Sequence, residues 1–221
     1  PWTCAKWTAN AEATREFVPF DGKSASAVAF EVPENWVRAI DRPFDARAPA
    51  NGATIAMVGD FKSVDTVSVR VERAPAGARD AKDANALAEA LTANERAAVE
   101  ALESFGVIGG VENGRSGTMA FELDGDARAR TDADSGRTYY EFGYTTEVCR
   151  ATIEEGAGGD KICVGPKGDL LESIKRRSRV VVTFVGDGNS MAVLKASAVS
   201  SRFDSVREIM DRAVDSFVVR V

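Results

Sequence analysis

With 221 residues, 44% of them apolar and 28% charged, the chain has enough apolar material for one large domain or two small ones. Its net charge of -6 argues against general nucleic-acid binding, because neutralising phosphates requires a basic surface. The absence of histidine removes His-based metal sites, Ser-His-Asp triads and Cys-His nucleophile pairs, and with them most familiar hydrolytic chemistry.

Residues 1–16 carry Trp2 and Trp7 without a sustained apolar period and read as an extended arm. Tryptophans on such an arm dock on a partner or on the domain's own flank. The character changes at "EFVPFDG". Val28, Phe30 and Val32 then alternate as a strand, and "VPENW" closes it with a proline turn leading to Trp36. Pro43, Pro49 and Gly52 punctuate a loop. "TIAMVGDF" and "TVSVRVERA" follow as two strands, the second with Val67, Val69 and Val71 on one face.

Residues 80–105 are rich in Ala, Leu and Glu. Leu87, Leu91, Ala98 and Leu102 supply apolar positions, while Thr92 and Glu95 have capping-box spacing, so two short helices are expected, with a stop at Gly106. "GTMAFEL", a polar turn from Asp124 to Gly136 and "RTYYEFGYTTEV" then read as a long hairpin. The turn carries Asp124, Asp126, Asp132 and Asp134, yet counting from Asp132 places neither glycine nor glutamate where a calcium loop needs them. A solvated turn is the better reading.

Residues 150–178 interrupt the strand pattern with a charged, glycine-rich excursion and a short amphipathic piece bearing Leu170, Leu171 and Ile174. Cys149 and Cys163 bracket much of it. Their spacing fits a loop-closing disulfide better than a zinc site, which needs more ligands nearby, and a disulfide implies an oxidising compartment. Cys4 is left as the odd cysteine. The basic run Lys175, Arg176, Arg177 and Arg179 is either a solvated face or a docking patch for an acidic partner.

"VVVTFVGDGNSMAVLKASA" follows. Gly186 and Gly188 lack the spacing and the lysine of a phosphate-binding loop, and the period-2 pattern on both sides makes this a β-hairpin. In the last segment, Val206, Ile209, Met210, Ala213, Val214 and Phe217 form one apolar stripe of an amphipathic helix. No low-complexity linker and no repeat is evident. The expectation is one α+β domain over residues 17–221, an antiparallel sheet with helices packed on it, with an insertion at about 150–178 and an arm at 1–16. No membrane span and no targeting segment is visible, so the chain reads as a soluble mature protein without a catalytic constellation.

The order "REFVPFDG", "FEVPENWVRAIDRP", "GDFKSVDTVSVRV", an Ala/Leu helix, "GRTYYEFGYTT", "VVVTFVGDGNSMAVLKASAVSSRF" and "REIMDRAVDSF" resembles the PsbP family over residues 15–219. That resemblance implies a central antiparallel sheet between helices, an α/β/α sandwich. It also implies a non-enzymatic extrinsic subunit in the chloroplast thylakoid lumen, peripheral on the membrane. Its partners would be photosystem core subunits and other extrinsic proteins. Its effect on calcium and chloride at the manganese cluster would be indirect, with no cofactor of its own. The family's functional N-terminal segment corresponds here to the arm with Trp2, Lys6, Trp7, Arg15, Phe17 and Phe20. Family histidines implicated in metal binding have no counterpart, so no metal ligand is carried over. The excursion at 150–178 looks like an insertion that the plant-type pattern keeps shorter. PsbP-like relatives bound to photosystem I, or acting in assembly, are the alternative.

Overall fold

The computed structural model describes residues 14–17, 27–42, 52–104, 117–125, 127–186 and 188–220. Trp2, Cys4, Lys6, Trp7 and Phe20 lie outside them. So do Pro43, Pro49, Gly106 and Asp126.

The strand signals at the start organise into two sheets. β1 (Thr14–Phe17) pairs antiparallel with β2 (Ala27–Pro33), so the end of the expected arm is a strand; the register places Arg15 opposite Val32 and Phe17 opposite Phe30. Trp36 closes a turn by donating its backbone N–H to the Pro33 carbonyl at 3.1 Å. β3 (Val37–Asp41), β4 (Ala53–Asp60) and β5 (Asp65–Arg73) follow as an antiparallel meander at one edge of the main sheet.

Two helices come next, as expected: α1 (Ala84–Leu91) and α2 (Ala93–Ser104). Asp83 caps α1, accepting from the Ala86 N–H at 2.8 Å. Thr92 is the C-cap of α1, and its hydroxyl donates back to the Ala88 carbonyl at 2.8 Å; the expected capping box gives way to this role. Ala98, read as an apolar packing position, is exposed.

The expected long hairpin is more elaborate. β6 (Gly117–Leu123) pairs with the second half of β8 (Thr138–Cys149), while β7 (Arg128–Thr131) pairs with its first half. The polar turn therefore contains a strand, and the tight reversal shrinks to Asp132–Gly136. There Asp132 accepts from the backbone N–H and the hydroxyl of Ser135.

The excursion folds as its own three-stranded meander, β9 (Thr152–Glu155), β10 (Lys161–Val164) and β11 (Leu170–Leu171), so the piece read as amphipathic is strand. Its two turns share the pattern Gly-x-x-Gly-Asp at 156–160 and 165–169. The hydrogen bonds repeat as well: Gly156 N–H to Asp160 O, Gly165 N–H to Asp169 O, each at 2.7 Å. The glycine before the aspartate of each turn, Gly159 or Gly168, holds a left-handed φ of 81° or 78°.

β12 (Ile174–Val185) and β13 (Ser190–Val199) form the expected hairpin, with Val185 opposite Ser190 across the glycine turn. Because β12 begins at Ile174, the basic run belongs to the main sheet and not to the excursion. α3 (Ser200–Asp215) starts before the residues read as helix and ends before Phe217, which is buried at the entry to a further strand, β14 (Val218–Arg220). β14 pairs with β2.

The main sheet has eight strands in the order β3-β4-β5-β13-β12-β8-β6, with β7 beside β8, and every pairing is antiparallel. Alternation sends Val67, Val69, Val71, Val181, Leu194 and Ala196 to one face, where Phe203, Met210 and Val214 of α3, Phe30 of β2 and Phe217 at the entry to β14 cover them. The opposite face carries Phe142, Tyr144, Val180 and Val182 against Ala88 and Leu91 of α1. The chain is thus α+β with helices on both faces of an antiparallel sheet, the sandwich expected from the sequence. A third, small cluster of Met119, Cys149, Ala151, Ile153 and Cys163 lies under the excursion.

Candidate docking surface

The sequence placed its docking candidates in two groups, and the structure separates them. Of the first group, only Arg15 and Phe17 fall among the described residues, both on β1. The second group, Lys175, Arg176, Arg177 and Arg179, lies on β12, where successive side chains alternate between faces. A contiguous run in sequence therefore becomes two half-sites.

Arg177 and Arg179 point to the α3 face. The Arg177 guanidinium lies 4.7 Å from the centre of the Phe203 ring, 3.3 Å from an Asp124 carboxylate oxygen and 3.7 Å from one of Asp204. Arg179 Nε approaches Asp211 Oδ1 at 2.9 Å, a charge contact without hydrogen-bond alignment. These two arginines tie α3 and the β6–β7 connection onto the sheet. Asp124, Asp204 and Asp211 are partners that linear reading missed. The signal available was the alternation of β12 together with acids on the polar side of α3.

Arg176 points the other way. Its Nε donates to Ser197 Oγ at 3.0 Å and its Nη2 to the Ser197 carbonyl at 3.1 Å and to the Val64 carbonyl at 2.8 Å. Burial pulls its pKa below the ordinary arginine value, and like charge from Arg150 adds to that, against the opposing pull of Asp65. Lys175 is exposed, opposite Glu147 in the register of β8. By the same alternation Lys175 shares the face of Arg177 and Arg179 at the exposed end of β12, so the opposite face keeps only the partly covered Arg176, with the exposed Arg150 near it. Arg150 was not singled out in sequence because it stands just past the end of β8, outside any strand alternation.

The expected disulfide is present: Cys149 and Cys163 are bonded, with Cα atoms 5.5 Å apart. Both cysteines are buried, and the bond joins the end of β8 to the middle strand of the excursion. Lys161 Nζ adds a hydrogen bond to the Met119 carbonyl at 3.2 Å.

A second charged cluster is centred on a buried carboxylate. Glu141 is 2% exposed at its side chain, and it accepts from Arg128 Nε at 2.5 Å and from Arg130 Nε at 2.7 Å. Hydrogen bonding to Glu141 raises the Arg128 pKa. Arg130 also caps the end of α3, donating to the carbonyls of Val214 and Phe217, and stacks on the Tyr139 ring. Its geometry is that of a latch, with both carboxylate oxygens occupied. Among the described residues, no group of three or more Cys, Asp or Glu is placed to hold a metal, and no helix is long and apolar enough to cross a membrane.

No family model matches the chain, and no curated protein sequence does. Among solved structures, the chain is similar to cyanobacterial PsbP from Synechocystis sp. PCC 6803 at 17% identity, covering 96% of this chain and 95% of that one, with a TM-score of 0.46. It is also similar to LpqN, involved in cell envelope biogenesis of Mycobacterium tuberculosis, at 12% identity over 96% and 94% of the two chains, TM-score 0.42. A third is the Saccharomyces cerevisiae Ran-binding protein Mog1p, at 14% identity over 94% and 95%, TM-score 0.39. Three proteins of such different description, at these scores, assign neither a family nor an activity to this chain.

Proposed function

We propose that the chain is a non-catalytic extrinsic subunit that docks on the lumenal face of photosystem II and helps the oxygen-evolving centre retain calcium and chloride. The reading starts from the ordered motifs that resemble the PsbP family. The observation that carries it into the structure is the buried Cys149–Cys163 bond, which suits an oxidising lumen and would be out of place in a reducing compartment. The buried carboxylates, Glu141 with Arg128 and Arg130 and Asp65 with Arg202, are engaged in holding elements together, which fits a scaffold better than an enzyme.

A second reading, a PsbP-like subunit of photosystem I or a lumenal assembly factor, is favoured by the excursion. Its Leu170 and Leu171 are exposed on a disulfide-anchored meander, a surface suited to a different partner. Adding the purified chain to salt-washed photosystem II membranes tests the two. Restored oxygen evolution at limiting calcium and chloride is expected. No restoration, with retention on photosystem I particles, would replace the first reading by the second.

A further inference from the structure

The turn between β4 and β5 is built against its own local preferences. Asp60 and Asp65 pair across the ladder, leaving the loop Phe61–Val64. Asp60 folds the loop, accepting from the Lys62 N–H at 3.1 Å and the Ser63 hydroxyl at 2.8 Å. The loop closes at Val64 with φ of 60°, and Val64 is the one described residue other than glycine with positive φ. Such a position is normally filled by glycine or asparagine, because a β-branched side chain collides with its own backbone there. Val64 belongs to none of the buried apolar clusters, and the residue is 43% exposed.

The rest of the molecule holds this strained loop in place. Arg176 of β12 donates to the Val64 carbonyl at 2.8 Å, and Arg202 of α3 pairs with the buried Asp65 at 3.0 Å. Gly59 lets the two strands close, since a Cβ there would stand 2.3 Å from the Asp65 carbonyl oxygen. Beside Val64, Phe61 is 43% exposed, and Val37, opposite Gly59 in the ladder, is 61% exposed. Lys62 in the loop, Arg176 on the Val64 carbonyl and Arg202 beside Asp65 put positive charge next to the loop, while the Asp60 carboxylate accepts from the Lys62 N–H and the Ser63 hydroxyl and that of Asp65 is paired with Arg202.

We infer that the Phe61–Val64 loop, with Val37 at its base, is a preformed docking knob for an acidic protein surface that offers an apolar recess. Strain that the fold does not use is retained for a purpose outside the fold. Apolar anchors on a clamped loop lose little entropy on binding, and the basic rim selects an acidic partner. A protein is favoured over a lipid surface because a chain of net charge -6 is repelled by an anionic bilayer, whereas one local acidic patch can be matched by one local basic knob.

The inference rests on the proposed docking role and locates its contact. The test uses wild-type chain, Phe61→Ser and Val64→Gly, each titrated onto salt-washed photosystem II membranes and onto phosphatidylglycerol vesicles. Val64→Gly removes the anchor while relieving the backbone, so its melting temperature is expected to be no lower than wild type, and any lost binding cannot be ascribed to misfolding. Both variants are expected to bind the membranes at least about tenfold more weakly, as for truncated apolar anchors. Wild-type binding with unchanged affinity of both variants overturns the knob and leaves the docking role standing. No binding by wild type overturns both. Tight vesicle binding that both substitutions abolish reassigns the loop to lipid and overturns the protein partner.

Discussion

Arg130 Nε lies 2.7 Å from Glu141 Oε1, and through that contact the end of α3 is fastened to β8, the strand next to the edge of the main sheet. The same guanidinium donates to the Phe217 carbonyl at 2.8 Å and covers the Tyr139 ring at 4.3 Å, while Tyr139 Oη accepts from the Val219 N–H at 2.9 Å. Arg130, Glu141 and Tyr139 thus link four elements, β7, β8, α3 and β14. Glu141→Ala would leave Arg130 without its buried partner. The expected loss is about 2–3 kcal/mol, less than for a fully enclosed pair because both arginines reach solvent. Urea denaturation of the variant checks this, and an unchanged midpoint would remove the latch.

The excursion should be separable from the sheet. Replacing both Cys149 and Cys163 by alanine removes the closed loop and opens the small cluster under it, an expected cost of about 3 kcal/mol on chain entropy. The loss should be local: amide exchange should accelerate across residues 151–173 and stay slow in β13. Equal acceleration in β13 would mean that the excursion and the sheet unfold as one.

Gly59 is fixed by sterics and not by φ. A methyl group at this position meets the Asp65 carbonyl oxygen at 2.3 Å and Thr66 Cα at 3.1 Å, both backbone, so Gly59→Ala forces the β4–β5 ladder apart. A cost of about 2 kcal/mol or more is expected, as for other overpacked backbone contacts. A thermal melt within one degree or so of wild type would contradict the close approach.

Two turn aspartates should titrate low. Asp60 is held below the ordinary aspartate range first by the Ser63 hydroxyl, and Asp132 likewise by the Ser135 hydroxyl. A depressed carboxylate stabilises the folded chain above the unfolded pKa and loses that contribution as pH falls through the folded pKa, so both turns should loosen only in acid. Carboxyl titration by NMR checks the order. Ser63→Ala should return Asp60 toward the ordinary value and leave Asp132 unmoved.

The sheet was legible in the sequence wherever alternation was strict, as in Val67–Val71 and in Val180–Val185, because burial on one or both faces imposes a period that can be read directly. The helices were legible in kind but not at their ends. α3 begins at Ser200, where no side chain caps it, and Phe217 continued the apolar stripe although it serves β14. Strands of two to four residues, β7, β11 and β14, are too short to show a period, so their pairing partners decide them. The basic run misled in a different way: a linear cluster on a strand is divided by the pleat, and only its pairing with Asp124, Asp204 and Asp211 assigns Arg177 and Arg179 to the interior architecture. The Val64 loop carried a readable signal, a valine ending a four-residue turn, but its exposure depends on how β3, β12 and α3 are arranged around it.

The central claim, an extrinsic subunit of photosystem II, is tested most directly by fractionating native thylakoid complexes and measuring the ratio of this chain to the reaction centre. The account predicts recovery with photosystem II at about one copy per centre. Recovery with photosystem I, or only in traces with assembly intermediates, would contradict it.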